Sequence, residues 1–366
     1  MRQGFDKIIG QDLAKRVLKR AARENRPSHT YLFLGLEGTG KMTAAIEFAK
    51  ALNCNNLRDG NPCEECPPCR SIEHHNCPEV RIWSPEIRKQ DTTIDQMREM
   101  RDYAMLRPVS ARWKVNIIEQ GDTLNEESAN CILKLLEEPP NYVVNILLFR
   151  NSVNILPTIR SRCRLVRFTQ VSTAELIDRL LEDYNVTNDK ARFLAIYSQG
   201  SPGKAIRLIG DEAFFQRRDA VIDTAGCAAS RNPWAALKLA EILRTEAGKP
   251  AQEIQDSEDD EEPDEPIDQE RAKRSSRDVL LESLDIMLLW YRDLLATKFL
   301  GPSAAVVNVD KQDEISAQSM CYPDTERLFD AVETILEAKR LILANCNAQI
   351  VTEALMMRLT GCSIAE

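Results

Sequence analysis

The chain has no stretch of about 18 consecutive apolar residues, which excludes a membrane-spanning helix of ordinary length. Its first residues, Met1-Arg2-Gln3-Gly4-Phe5-Asp6, lack the apolar core of a secretory signal, and the expected compartment is the cytoplasm. Eleven Cys in a cytosolic chain of 366 residues do not imply a disulfide framework, so they are expected as thiols or metal ligands. Excess positive charge is also missing: the formal net charge is −9, which argues against a nucleic-acid partner until that charge is located. Eleven of the Asp and Glu fall between Glu253 and Glu270, a stretch without Lys or Arg, and the remainder is close to neutral. That stretch cannot bury enough apolar surface to order itself, and a disordered acidic loop is expected at about 250–275. The chain is 43% hydrophobic overall and long enough for two or three domains with a full core.

What is present begins with a glycine-rich loop. Gly35-Leu36-Glu37-Gly38-Thr39-Gly40-Lys41-Met42 follows the phosphate-binding pattern G-x-x-x-x-G-K-[ST] up to its last position. Such a loop works because glycines let backbone N–H groups face a phosphate at a helix N-terminus, with the lysine on the terminal phosphates. The Ser or Thr that would hold Mg²⁺ is replaced by Met42, whose soft thioether is a poor partner for a hard cation. Thr43, one residue on, points elsewhere on the helix. The apolar run Val115 to Ile118 ends in Glu119-Gln120, where an active ATPase of this type carries Asp-Glu. Gln120 cannot take a proton from water, and loss of such a base costs about 10²–10⁴-fold in rate. Asp122 is the acid that remains in this stretch. The loop therefore reads as one that could hold ATP or ADP without hydrolysing it.

The order of elements supports that reading. An amphipathic helix is expected at Asp12–Glu24, a strand at Tyr31–Leu34 and a helix at Lys41–Leu52, the strand–loop–helix context that a phosphate loop needs. Strands at Val80–Trp83, Val115–Ile118 and Val143–Phe149 alternate with helices at Ile94–Met105 and Glu126–Glu138, the last stopped by Pro139-Pro140. Buried strands alternating with helices imply a parallel sheet covered on both faces. Beyond Phe168 the pattern is helical only. Short helices at Ala174–Asp183, Asp189–Ser198 and Lys204–Ile209 come first, then longer ones including Arg277–Thr297 and Thr325–Asn345. Lys15, Arg16, Lys19 and Arg20 lie together on the first helix, as a solvated face or a phosphate-backbone contact.

Cys54, Cys63, Cys66 and Cys69 form two consecutive C-x-x-C steps with a fourth thiol upstream, spacing that suits one tetrahedral Zn²⁺ with no open position. An iron–sulfur cluster or free thiols are the alternatives. His74, His75 and Cys77 are surplus to a four-ligand site. Few aromatic or basic residues are interleaved, which disfavours a zinc-dependent nucleic-acid module. An exposed arginine in Thr158-Ile159-Arg160-Ser161-Arg162-Cys163 could stabilise phosphoryl charge in a neighbouring subunit, or simply pair with a local carboxylate.

Several segments together carry a specific resemblance. They are Gly10-Gln11, Ser28-His29-Thr30-Tyr31-Leu32-Phe33 leading into the loop, the Cys knuckle, and Thr93-Ile94-Asp95-Gln96-Met97-Arg98. Asn130-Cys131-Ile132-Leu133-Lys134-Leu135-Leu136-Glu137-Glu138-Pro139-Pro140 and Leu156 to Cys163 complete them. The chain resembles the bacterial clamp-loader subunits of the AAA+ class, parts of the DNA polymerase III holoenzyme. The motifs cover about residues 4 to 168, and Gly200-Ser201-Pro202-Gly203-Lys204-Ala205 extends them into a lid. The resemblance implies an α/β P-loop AAA+ domain with a parallel sheet over 1–168, containing the zinc knuckle at 54–69. A small helical lid domain over 169–210 and an all-α C-terminal collar domain over 211–366 would follow.

Within the family, a motor subunit of the gamma/tau type carries a complete loop and Asp-Glu. Departure at Met42, Glu119 and Gln120 with Arg162 kept resembles the delta-prime type, a stator. By that resemblance Arg162 is an Arg finger acting in trans, and Ser161 and Cys163 hold its loop. Gly35, Gly38, Thr39, Gly40 and Lys41 are a remnant nucleotide loop, and Cys54, Cys63, Cys66 and Cys69 bind structural zinc. The lid position that is Arg in motors falls at Gly203, beside Lys204. Implied partners are gamma/tau-type and delta subunits in a hetero-oligomer, the sliding clamp, and primed DNA through the complex, with no membrane. An active gamma/tau-like ATPase with atypical motifs is the alternative.

Overall fold

The structure is a computed structural model that describes residues 2–85, 93–153, 155–228, 233–248, 276–301, 304–322 and 324–361. The acidic stretch expected as a loop at about 250–275 lies outside the described residues. The chain divides into two compact units, Met1–Arg207 and Leu208–Glu366.

The first unit is built on five parallel strands: β1 (Thr30–Leu34), β2 (Val80–Trp83), β3 (Lys114–Ile118), β4 (Val143–Phe149) and β5 (Arg164–Arg167). Their order across the sheet is β2-β3-β4-β1-β5. The near-continuous apolar runs of β1, β3 and β4 are explained by burial on both faces. Tyr31, Phe33 and Ile146 pack on one side beneath α1 (Asp12–Arg23) and α2 (Lys41–Asn53). Leu32, Leu147 and Phe149 pack on the other beneath α4 (Ile94–Met105) and α5 (Glu126–Glu137). Between α2 and β2 lies the short α3 (Pro67–Glu73).

β5 is absent from the sequence expectation, which ended the sheet at Phe149. Two of its four residues are arginines and only Val166 is buried, so no apolar run announces it. It is an edge strand, reached through the one-turn α6 (Pro157–Arg160) and defined by its pairing with β1.

Side-chain caps open several of the helices. Thr93 and Gln96 form a reciprocal capping box on α4, and Asn125 accepts from the Ser128 N–H at the head of α5. Three further helices follow: α7 (Thr173–Tyr184), capped by Ser172, α8 (Asn188–Tyr197) and α9 (Pro202–Ile209). Two of the four basic residues expected together on α1 are paired locally, Lys19 with Asp6 and Arg20 with Glu24.

Every regular element among the described residues of the second unit is a helix. It comprises α10 (Glu212–Ala228), α11 (Pro233–Gly248), α12 (Ser276–Leu300), α13 (Gln312–Cys321), α14 (Glu326–Leu343) and α15 (Ala348–Leu359). Trp290, Tyr291 and Met287 of α12 sit at its centre, fully buried. Buried Asp293 accepts from the backbone N–H groups of Val307 and Asn308, and Arg218 is held by Asn308 and Asp310. These charge-assisted bonds fix the turn after α12 against α10.

Candidate functional site

The glycine-rich loop runs from β1 into α2, at the C-terminal end of the sheet. Each glycine answers a local demand. A side chain at Gly35 would collide with Phe168, whose backbone pairs with Leu34. Gly38 and Gly40 have φ of +72° and +92°, the left-handed region that suits glycine. Lys41 does not reach outward. Its Nζ donates to the carbonyls of Gly35 (2.5 Å) and Leu36 (2.7 Å), and Thr39 Oγ1 donates to the same Leu36 carbonyl at 2.7 Å. Burial, and next the neighbouring Arg150 charge, push the Lys41 ammonium down to about 8. Met42 packs against the core beneath α2, while Thr43 is exposed.

At the end of β3, Glu119 accepts a hydrogen bond from Ser84 Oγ, and Gln120 follows it, half-buried. Asp122 accepts from the Arg150 N–H at 2.6 Å, while its other carboxylate oxygen is buried without a hydrogen-bond donor. No catalytic carboxylate stands at position 120, so the loop has no neighbouring base there.

The lid is fastened onto the loop by contacts that no local sequence pattern announces. Gly203 N–H donates to the Gly38 carbonyl at 2.7 Å, and Ser201 Oγ donates to the Glu37 carbonyl at 3.0 Å. Ser201 also caps α9 by accepting from Lys204 N–H. A Cβ on Gly203 would stand 2.9 Å from Gly38 Cα, so a side chain here would hold the lid off the loop. Lys204 sits over the Tyr197 ring, 4.2 Å from its centroid. The cations near the loop come instead from Arg150 and Arg207, paired with Glu37 at 3.1 and 3.8 Å. Arg207 lies one helical turn beyond Gly203, a spacing that could have marked it. Nothing in the sequence marked Arg150.

Arg162 occupies the opposite end of the sheet. β5 begins beside Tyr31, at the N-terminal end of β1, whereas the loop begins after Leu34. Four residues of strand at about 3.3 Å each separate these levels by roughly 13 Å. Arg162 Nη1 donates to the Thr158 carbonyl (2.9 Å) and to Ser161 Oγ (3.2 Å), and Nη2 pairs with Glu137. The adjacent Cys163 packs into the core with buried Ile159, and burial pushes its thiol up to about 12. The arginine thus stands on a turn anchored from below.

The four cysteines converge. Cys54 follows α2, Cys66 immediately precedes α3, and all four sulfurs lie within 4.8 Å of one another. A tetrahedral ion with metal–sulfur bonds of about 2.3 Å needs sulfurs about 3.8 Å apart, and Cys54 and Cys66 Sγ are separated by 3.9 Å. Backbone N–H groups of Cys63 and Cys66 point at Cys54 and Cys63 sulfur, which favours thiolate, but at Cys54 burial outweighs this and raises the thiol. At Cys63, burial opposes ionisation, but the amides of Glu65 and Cys66 outweigh it and bring the thiol to about 7. The donor set fits a metal ion. Cys77 is apart from it, paired with Glu79. The knuckle also clamps the start of the chain: Glu64 accepts from Gly4 N–H at 2.9 Å, and Asn61 from Phe5 N–H at 3.3 Å.

Residues 10–172 match the family model described as DNA polymerase III, delta subunit. The DNA polymerase III subunit delta' of Bacillus subtilis (strain 168) is 28% identical over 355 residues, covering 95% of this chain and 96% of that protein. Subunit tau of the same organism is 31% identical over 219 residues, 58% of this chain but only 38% of tau. A solved gamma-subunit-related protein of Thermotoga maritima shares 16% identity with a TM-score of 0.44, over 94% of this chain and 98% of its own. The likeness to tau is partial, whereas that to delta' runs the length of both proteins. Over residues 10–172 the chain is thus similar to DNA polymerase III clamp-loader subunits, and it is a delta' subunit that it resembles from end to end.

Proposed function

We propose that this chain is a non-hydrolysing, stator-like subunit of the DNA polymerase III clamp loader that supplies Arg162 in trans to the ATP site of a neighbouring motor subunit. The observation that carries this reading is the separation of Arg162 from the chain's own phosphate loop by the length of β1. At the far end of a parallel sheet, a guanidinium faces a neighbour and not its own nucleotide. Guanidinium groups placed in trans stabilise the charge of phosphoryl transfer.

The loop itself fits a brace better than a motor. A nucleotide entering it has to draw Lys41 from two carbonyls and part Gly203 from Gly38. ATP or ADP held there would meet no metal hydroxyl at Met42 and no base at Gln120, and would leave unhydrolysed. The four thiolates would hold Zn²⁺ as a closed structural site, tying the start of the chain to the end of α2. The partners are then gamma/tau-type and delta subunits, with the sliding clamp and primed DNA engaged through the complex, in the cytoplasm.

The test is ATP turnover by the chain alone and after reconstitution with motor and delta subunits, clamp and primed DNA. No turnover alone, a gain on mixing, and loss of that gain with Arg162→Ala are expected. The site that Arg162 completes should lose about 10³-fold or more. Turnover by the chain alone, abolished by Lys41→Ala, would establish the active gamma/tau-like ATPase instead.

A further inference from the structure

We infer that Glu137 is a positioning residue for Arg162: it holds the guanidinium in one orientation on the subunit surface, ready for an anionic phosphoryl group of a neighbouring subunit. The inference rests on the reading of Arg162 as a finger in trans.

Glu137 is the last residue of α5, and Glu138 follows it. Carboxylates are disfavoured at that place, because a helix C-terminus carries a partial negative charge that calls for Lys or Arg. The other end of α5 obeys the rule, with Glu126 and Glu127 in its first turn. Local rules are broken mainly at functional sites. Here the misplaced carboxylate meets the Arg162 guanidinium, which comes from a separate turn after α6.

The geometry distinguishes positioning from a mere surface pair. A guanidinium has five N–H donors in a rigid plane. Arg162 uses two at Nη1, on Thr158 O and Ser161 Oγ, while Nη2 stands in an ion pair with Glu137. Three anchors from two directions fix the plane. Nε–H has no hydrogen-bond partner among the described residues. That donor is available to a phosphate oxygen while the carboxylate stays in place. A single exposed ion pair is worth little to stability. Its value here is orientation, since displacement of a catalytic group by about 1 Å can cost on the order of 10²-fold in rate.

The experiment uses the reconstituted complex with primed DNA and clamp, and compares Glu137→Ala, Glu137→Gln, Arg162→Ala and the Glu137→Ala/Arg162→Ala pair. Glu137→Ala should lower kcat of the site that Arg162 completes by about tenfold, with KM for ATP unchanged and thermal unfolding of the free subunit unmoved. Glu137→Gln, which keeps an acceptor oxygen, should recover part of that loss. In the Arg162→Ala background, Glu137→Ala should do nothing further. An equal loss in both backgrounds, or a gain in turnover on removing Glu137, overturns the inference. An Arg162→Ala complex with full turnover overturns the finger reading itself, an outcome separable from the others.

Discussion

Gly38→Ala is the sharpest test of the lid–loop fastening. Alanine at φ +72° costs about 1 kcal/mol. Its Cβ would also run into Ser201 Oγ and stand 3.1 Å from Lys204 N, so α9 has to lift. Lifting breaks the Gly203–Gly38 and Ser201–Glu37 hydrogen bonds, at about 1 kcal/mol each. The expected loss is about 3 kcal/mol. Ser201→Ala alone removes the bond to Glu37 and the cap on Lys204 N–H, about 1 kcal/mol. In the double mutant the colliding oxygen is gone, and the 3.1 Å approach to Lys204 N that is left needs a shift of only a few tenths of an ångström. That leaves a loss of about 2 kcal/mol from the strain and the missing hydroxyl. The two substitutions therefore compensate by about 2 kcal/mol, within the range for residues in contact. Urea unfolding of the full chain supplies the four free energies, and hydrogen exchange at the Gly203 amide reports whether the lid has opened. Additive losses, or undiminished protection of Gly203 in Gly38→Ala, would refute the fastening.

Further predictions concern charge, metal and the finger. The Lys41 ammonium sits at about 8 in the folded chain against an ordinary 10.5, so between those values the unfolded chain binds more protons. Stability should accordingly rise with pH across that window, by about 1–2 kcal/mol, and stay flat with respect to Lys41 below it. Urea unfolding of Lys41→Met should lack this rise, and an equal rise in both proteins would reject the assignment. Cys66→Ser should abolish a metal stoichiometry of one per chain and cost on the order of 4 kcal/mol. It should also speed amide exchange at Gly4 and Phe5, which the knuckle clamps through Glu64 and Asn61. Wild-type protein that contains no zinc by metal analysis would remove the basis for this. Arg162→Ala should leave the free subunit folded, its circular dichroism and unfolding midpoint unchanged, because the side chain is a surface one held by exposed partners.

Much of the first unit can be read directly from its residues. Val143–Phe149 is legible as a buried strand because all seven side chains are enclosed. The run is apolar but for Asn145, which accepts a hydrogen bond from Asn116 on the neighbouring strand. The knuckle is legible because its four thiols are close in sequence, and short spacing limits where they can point. Met42 and Gln120 are legible by their chemistry alone. β5 was not legible: an edge strand of Arg164, Leu165, Val166 and Arg167 buries one side chain, and only pairing with β1 makes it a strand.

Residue identity alone set the chemistry each position can offer: a loop without a metal hydroxyl, a stretch without a base, four clustered thiols and an arginine on a proline-led turn. Which of these groups meet was left to the packing of the chain. Ser201 and Glu37 are 164 residues apart, and Glu137 and Arg162 belong to separate helical turns. The placement of Arg162 at the far end of the sheet from its own loop follows from the parallel pairing of β5 with β1. Such pairings are set by packing of elements against a common sheet, where burial over many residues outweighs any local preference. A polar contact made only after that packing leaves no periodic trace in the chain.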